Sequence, residues 1–173
     1  MRYLFLSLIL LTTLNAKMLM TPFEAIHTAY GKEAKISKKN ILLNPDQAKA
    51  LTKVARQKLT TKIYRTFKIE KNGTLEAYAV LTVNKMRTKD AVVLFMINLD
   101  GSIASIATVA FNEPPEFAPN SQWEALFDNK TKADTLRIGK DLPTITGATL
   151  SARGYADGAR LALGVYETVL KGK

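Results

Sequence analysis

The chain has 173 residues, of which 47% are hydrophobic and 23% charged, and its formal net charge is +10. This length and balance are typical of one globular domain with its own core. The absence of cysteine excludes disulfides, thiolate metal sites, iron–sulfur clusters and thioether-linked haem. The single histidine, His27, has no second imidazole to share a metal, so we predict no metal site and no catalytic triad.

The positive charge limits the classes of partner. Its lysines and arginines are spread along the chain and form no block. A charge of this sign favours acidic surfaces, anionic lipid or a phosphate-bearing cofactor. No motif of a nucleic-acid-binding module accompanies it, so we predict no nucleic-acid partner.

Residues 1–16 have the pattern of a secretory signal peptide. Arg2 is followed by an apolar run from Tyr3 to Leu11, and small or polar residues lead to a cleavage site after Ala16. A membrane anchor is the alternative, but the run is about half the ~20 residues that a span needs. We therefore expect a periplasmic protein with one mature domain, residues 17–173.

Two helices are predicted next. Thr21 can cap a helix that has Pro22 at its first position and ends at Tyr30. A second helix begins at Asn44 or Pro45 and runs to Leu59, with apolar residues at helical spacing. The lysine-rich stretch between them, residues 32–44, is interpreted as a solvated face or, alternatively, a partner surface.

The middle of the chain predicts an antiparallel meander of about four strands. Lys71-Asn72-Gly73 and Asp100-Gly101 are hairpin signals. The apolar run from Val92 to Ile97 is continuous, which predicts a central strand that is covered on both faces. The strands are expected at Ile63–Glu70, Thr74–Asn84, Ala91–Asn98 and Ser102–Phe111.

The last third returns to helix. A short helix from Asn120 or Ser121 to Phe127 carries the only tryptophan, Trp123, and a short strand is possible at residues 136–138. A long helix follows from Ser151 to Leu170. The fold class is therefore α+β: one antiparallel sheet packed by N-terminal helices and a long C-terminal helix.

The stretch from Asp141 to Ser151 joins this last helix to the rest of the chain. It is crowded with small residues, and the hydroxyls of Thr149 and Ser151 stand where the helix begins. A helix start offers unpaired N–H groups and partial positive charge, which suit an anion such as phosphate. An ordinary turn followed by a helix cap is the other interpretation of the same residues.

The sequence from Thr146 to Ser151, TGATLS, resembles the motif of the FMN-binding domain family. That family includes the periplasmic flavoprotein subunits of sodium-pumping NADH:quinone oxidoreductase and of the Rnf complex. Asp141, Ile145 and the segment around Trp123 resemble the family's residues upstream of the motif. The resemblance extends over residues 74–170, and Thr146 departs from the Ser or Asp that is commoner at its position.

The resemblance implies a site. FMN would be attached through a phosphoester bond to Thr149, by a Mg-dependent flavin transferase that uses FAD as donor. Ser151 is the next candidate acceptor. Arg153 either pairs with the phosphate or lies on the surface, and Trp123 is either a core aromatic or a neighbour of the flavin ring. The predicted cofactor-binding residues are Thr149, Thr146, Gly147, Ala148, Leu150, Ser151, Arg153 and Trp123.

The implied function is periplasmic electron transfer by covalent FMN, between membrane-associated or periplasmic redox partners. This is the role of a carrier rather than of a stand-alone enzyme, and no residue is predicted to be catalytic. Two alternatives remain at this point. One is a module that binds FMN or another phosphorylated ligand without a covalent bond; the other is an adaptor protein with no cofactor.

Overall fold

The computed structural model describes residues 18–173, so the predicted signal peptide at residues 1–16 lies outside the described residues. Short 3₁₀ turns at Pro115–Phe117 and Ala125–Phe127 link the larger elements, and a π-helical turn at Tyr166–Leu170 extends the last helix. The larger elements are α1 (Pro22–Tyr30), β1 (Lys35–Leu42), α2 (Pro45–Ala55), β2 (Ile63–Lys71), β3 (Thr74–Lys85), β4 (Asp90–Asn98), β5 (Ile103–Phe111), α3 (Ser121–Glu124) and α4 (Thr149–Val165).

The five strands form one sheet in the order β1-β2-β3-β4-β5, and every neighbouring pair is antiparallel. Both predicted hairpin turns are present. Asn72 and Gly73 have φ angles of 51° and 78°, and Gly101 has a φ of 89°. Tight turns of this left-handed kind match the twist of the strands that they connect. The predicted meander is therefore confirmed, with one additional strand.

Helices cover the two faces of the sheet unequally. α2 and α4 pack together on one face, and α1 lies on the other. β4 contributes Val93, Phe95 and Ile97 to the core under α4, and Leu94 and Met96 to the core under α1. The predicted α+β class and the coverage of β4 on both faces are confirmed. Within residues 18–173, no helix combines the length and the apolar character that a bilayer span requires.

The additional strand is β1, which lies inside the stretch interpreted as a solvated lysine-rich face. That interpretation missed a strand. All residues of β1 except Ile36 and Ile41 are exposed, so the apolar alternation that marks a strand is almost absent. Backbone pairing with β2 along the whole strand holds it in place. Lysines on an edge strand are a common protection against pairing with other chains.

Other boundaries differ from the prediction by a few residues. α2 ends at Ala55 because Arg56 is left-handed, with a φ of 56°. Residues 136–138 form no strand; Ile138 makes a single bridge to Leu142 inside a tight turn. α4 begins at Thr149, two residues before the predicted start. The capping residues Thr21 and Asn44 are confirmed, each in a reciprocal pair of bonds with the third helical residue.

α4 approaches β3 closely because the residues that face the sheet include two glycines. A Cβ atom on Gly154 would lie 2.5 Å from the sulfur of Met86 and 3.0 Å from the carbonyl oxygen of Lys85. A Cβ atom on Gly158 would lie 2.5 Å from the side-chain amide nitrogen of Asn84 and 3.1 Å from the ring of Phe95. The first turns of α4 therefore lie at the end of the sheet where β3 turns into β4.

Gly158→Ala tests this close approach. Alanine favours helix by about 1 kcal/mol over glycine, but overpacking of a filled core costs about 1–3 kcal/mol. We expect a net loss of about 1 kcal/mol in the free energy of unfolding, measured in urea. The control is Gly164→Ala, whose Cβ would come closer than 3.6 Å only to the side-chain end of Leu51, at 2.5 Å. A loss for Gly164→Ala as large as for Gly158→Ala would contradict this account.

Candidate functional site

A tight turn precedes the first residue of α4. The amide of Ala148 donates to the carbonyl oxygen of Ile145 at 2.9 Å, which closes the turn around Thr146 and Gly147. Gly147 has a φ of 75°, and a Cβ atom built there would meet no atom within 4 Å. The backbone angle rather than any lack of space therefore requires glycine at this position. Both Thr146 and Gly147 are exposed.

The start of α4 carries no side-chain cap. Its N-cap residue is Ala148, and within the described chain the amides of Thr149, Leu150 and Ser151 have no hydrogen-bond acceptor. In contrast, Thr21, Asn44 and Asn120 cap α1, α2 and α3 through their side chains. Three free N–H groups and the positive end of a helix of 17 residues therefore meet beside an exposed turn. This set of donors fits the phosphate group of FMN.

The structure places the other predicted residues around this helix start at different depths. Thr149 is the first helical residue and is partly exposed, whereas Ser151 is only 2% exposed. Leu150 is 45% exposed, and Arg153, one turn further on, is exposed. Ala148 is buried. The residues from Thr146 to Arg153 are thus brought together, and of the two candidate hydroxyls only that of Thr149 belongs to a residue that reaches solvent.

The loop that leads into the turn is fixed at several points. Leu142 is buried in the core, and the indole N–H of Trp123 donates to the carbonyl oxygen of Pro143 at 3.1 Å. The Thr135 hydroxyl donates to the carboxylate of Asp141, and this bond holds the pKa of Asp141 below its usual range. The motif is therefore held from the side of α3 and from the preceding turn.

Trp123 is 8% exposed and packs in the core under α4. Its ring meets those of Phe127 and Tyr155 edge to face, with centroid distances of 5.3 and 6.0 Å. These contacts agree with the interpretation of Trp123 as a core aromatic. The same residue reaches the motif loop through its bond to Pro143 and so positions the loop, while its place beside a flavin ring stays a prediction.

A partly buried polar chain beside Trp123 was not predicted from the sequence. The hydroxyl of Thr108 donates to the carboxylate of Glu124 at 2.6 Å, and the hydroxyl of Tyr155 lies 2.6 Å from that of Thr108. Because the Thr108 proton goes to Glu124, Tyr155 donates to Thr108. Burial raises the pKa of both Tyr155 and Glu124. The three residues come from β5, α3 and α4, so no local pattern could have indicated the chain.

The turn between β3 and β4 is a second neighbour of the site that the sequence did not indicate. The carboxylate of Glu113 accepts the backbone N–H groups of Arg87, Thr88 and Lys89. The bonds from Lys89 and Thr88 are the main reason why the pKa of Glu113 is low. Glu113 therefore fixes the turn against which the first turns of α4 pack.

Gly147→Ala tests the turn. A left-handed φ costs an L-residue about 1–2 kcal/mol, and the open space around Gly147 means that no clash adds to this cost. We expect a loss of about 1 kcal/mol in the free energy of unfolding and faster hydrogen exchange at the Ala148 amide. The matched variant Gly147→Asn should lose less, because asparagine tolerates this conformation. Equal losses in the two variants would refute a backbone cause.

Glu124→Gln tests this partly buried polar chain. Because its pKa is raised, the folded protein holds the Glu124 proton to a higher pH than the unfolded chain. The free energy of unfolding therefore falls as pH rises from the unfolded pKa through the folded one. Glutamine still accepts the Thr108 bond but carries no charge to bury.

We expect Glu124→Gln to melt at a higher temperature than the parent at about pH 8, and the difference to vanish at about pH 4. Glu116→Gln, at an exposed glutamate in the same connecting segment, is the control and should show no such trend. A variant that is less stable at the higher pH would show that the carboxylate stabilises the fold.

Comparison with known proteins adds independent findings. Residues 88–164 match the family model of the FMN-binding domain. Among solved structures, the crystal structure of Shewanella oneidensis NqrC is similar, with a TM-score of 0.55, 17% sequence identity and coverage of 84% of each chain. At this identity the likeness shows a shared fold. The search of curated proteins found no match.

The family match includes β4, β5, α3 and the greater part of α4. It starts later and ends earlier than the resemblance over residues 74–170, but it contains the whole motif. The turn at Gly147 and the uncapped start of α4 lie inside it. Residues 88–164 are therefore similar to the FMN-binding domain, and the motif lies within this matched region.

Proposed function

We propose that this protein is an electron-transfer flavoprotein whose FMN is attached through a phosphoester bond to Thr149. The observation that carries the proposal is the position of Thr149, which is the first residue of an uncapped helix inside the matched FMN-binding domain. Its partial exposure gives a modifying enzyme access to it. Ser151 is much less accessible to a modifying enzyme, because it is only 2% exposed.

Thr149 is the acceptor in this proposal and does not activate itself. A threonine hydroxyl is a weak nucleophile that needs an adjacent base. The nearest upstream carboxylate in the sequence, Asp141, is engaged with Thr135 and the amide of Arg137. The described structure shows no hydrogen bond from the Thr149 hydroxyl to a base, which is consistent with activation by an external flavin transferase.

The proposed attachment balances as a transfer of the FMN half of FAD. The Thr149 oxygen forms a bond to the phosphorus of the FMN half, the bond to the AMP half breaks, and the hydroxyl proton is lost. AMP is the other product. The free amides of Thr149, Leu150 and Ser151 would then hold the phosphate charge, with the exposed Arg153 available nearby in sequence.

When bound, FMN supplies the redox chemistry, and the protein supplies its position. The chain's own contribution is rigidity, because the loop before the motif is fixed by Trp123 and Leu142 and the helix after it lies on β3. Donors and acceptors of the electron are proposed to be membrane-associated or periplasmic redox proteins.

The proposed location is the periplasm, and it rests on the signal-peptide pattern of residues 1–16. A covalent bond suits that location, since a flavin that dissociates outside the cytoplasm is not retained near its protein. Export can be checked separately from flavin attachment, by sequencing the N-terminus of the purified protein for cleavage after Ala16.

The deciding experiment is the intact mass of the protein after expression with an active flavin transferase. We expect a gain equal to FMN less one water, mapped by peptide sequencing to Thr149. Thr149→Ala should lose the gain, Thr149→Ser should keep it because the hydroxyl remains, and Ser151→Ala should keep it. Thermal melting of the four proteins checks that loss of flavin is not loss of fold.

Other outcomes select the alternatives. Flavin that copurifies but is released by acid precipitation would identify a non-covalent module that uses the same free amides. An unmodified and colourless protein in the presence of active transferase would favour an adaptor without cofactor. Covalent flavin that persists in Thr149→Ala would refute the assignment of the acceptor.

A further inference from the structure

The face of the sheet under α1 has one uncovered corner. α1 crosses this face diagonally. The segment before it bonds to β5, where the amide of Leu19 donates to the carbonyl oxygen of Val109 at 2.9 Å. Its last residue, Tyr30, accepts a bond from the ammonium of Lys71 at the far end of β2, at 3.4 Å. The end of β1, the start of β2 and the end of β3 are left outside this diagonal.

Three aliphatic side chains lie side by side in that region, which we call the open corner: Leu42, Ile63 and Val83. Leu42 pairs directly with Ile63, and continuing the register of Arg65 with Leu81 places Ile63 beside Val83. Their exposed fractions are 71%, 58% and 58%.

The open corner is on the same face as a well-buried core. Ile63 is four residues from Phe67 on β2, and Val83 is four residues from Ala79 on β3, so each pair points to one side of the sheet. Phe67 and Ala79 are 1% and 0% exposed, whereas the residues of the open corner are the most exposed apolar side chains of these strands. A sheet normally buries such a row against another layer.

Cations border the open corner. Lys38 is four residues before Leu42, Arg65 is two after Ile63 and Lys85 is two after Val83, so strand alternation places all three on the same face as the aliphatic row. None of the three forms an ion pair within the described chain. The carboxylate next to this group is Asp90, opposite Lys85.

We propose that the open corner binds the surface of an anionic membrane. Short aliphatic side chains can enter the boundary between headgroups and acyl chains, while longer lysine and arginine side chains reach the phosphates around them. Basic residues near an anionic bilayer strengthen such binding. A second copy of this chain would bring the same cations against each other.

The location has a consequence that rests on the proposed function. The open corner includes the end of β3, and the first turns of α4 pack against Lys85 and Met86 at that same end, on the opposite face. A protein bound to a membrane through the open corner would hold the start of α4, and a flavin on Thr149, at the end of the domain that lies towards the bilayer.

The test is cosedimentation with vesicles. The parent protein should bind vesicles made of equal parts phosphatidylglycerol and phosphatidylcholine, and not vesicles of phosphatidylcholine alone. The triple variant Leu42→Thr, Ile63→Thr, Val83→Thr keeps β-forming side chains and should bind the anionic vesicles at least ~10-fold more weakly. Arg65→Glu should weaken binding to anionic vesicles and reduce its dependence on salt.

The matched control is Leu99→Ser. Leu99 is 46% exposed in the turn between β4 and β5, at the opposite end of the sheet, and its replacement should leave vesicle binding unchanged. The same assays on Thr149→Ala should give the parent result, so failure of flavin attachment and failure of membrane binding are distinguished. Thermal melting confirms that each variant is folded.

Three results would overturn the proposal. The first is a parent protein that does not bind anionic vesicles, or binds neutral ones equally well. The second is a triple variant that binds as tightly as the parent. The third is a parent dimer in light scattering that the triple variant converts to monomer, which would make a second copy the occupant of the open corner.

Discussion

The contact between α4 and β3 is the constraint on which the rest of the site depends. Glycine at positions 154 and 158 lets the helix backbone lie against the strand, so the axis of α4 and the position of its first residue are set by the sheet. A longer side chain at either place would lift the helix from β3. Because the helix start carries the free amides, this packing decides where an anion can be held. The core and the site are thus parts of one arrangement.

The supports of the motif come from distant parts of the sequence and combine hydrogen bonds with burial. Trp123 fixes the loop before the turn with a hydrogen bond, and Leu142 fixes it by burial. Glu113 fixes the β3–β4 turn on which α4 rests. The Thr108 hydroxyl donates to the Glu124 carboxylate in a partly desolvated place. Desolvation disfavours the charged carboxylate, and the pKa of Glu124 is raised for this reason. A site that must hold one geometry is commonly supported in this way.

Much of the fold could be predicted from the sequence, because its signals are local. Strands β2 to β5 follow from alternating or continuous apolar runs between hairpin turns, and the caps at Thr21 and Asn44 follow from single residues. β1 could not be predicted in this way, because an exposed edge strand is specified by the partner strand and not by its own pattern. The early end of α2 depends on the left-handed conformation of Arg56, a residue type that does not indicate it.

In the candidate site too, some features follow from the local sequence and others depend on the tertiary structure. Gly147, Thr149 and the other motif residues are contiguous, so a resemblance could indicate them, and the structure places them together at the start of α4. The depth of each residue is a tertiary property. Thr149 and Ser151 both carry a hydroxyl at the start of the helix, yet the helix turns one towards solvent and the other towards the sheet. The polar chain from Tyr155 through Thr108 to Glu124 joins three elements and has no counterpart in any local pattern.

The distribution of charge links the helix start to the open corner. A protein with a net charge of +10 gains nothing in stability from that excess, since like charges repel in the compact state. Lys38, Arg65 and Lys85 are without ion pairs in the described chain, next to aliphatic residues that folding also leaves uncovered. Unpaired cations and uncovered aliphatic side chains are each unfavourable in water, but together they are favourable at an anionic, partly apolar surface. Their position at the end of the sheet where α4 begins gives that surface a defined orientation relative to the motif at residues 146–151.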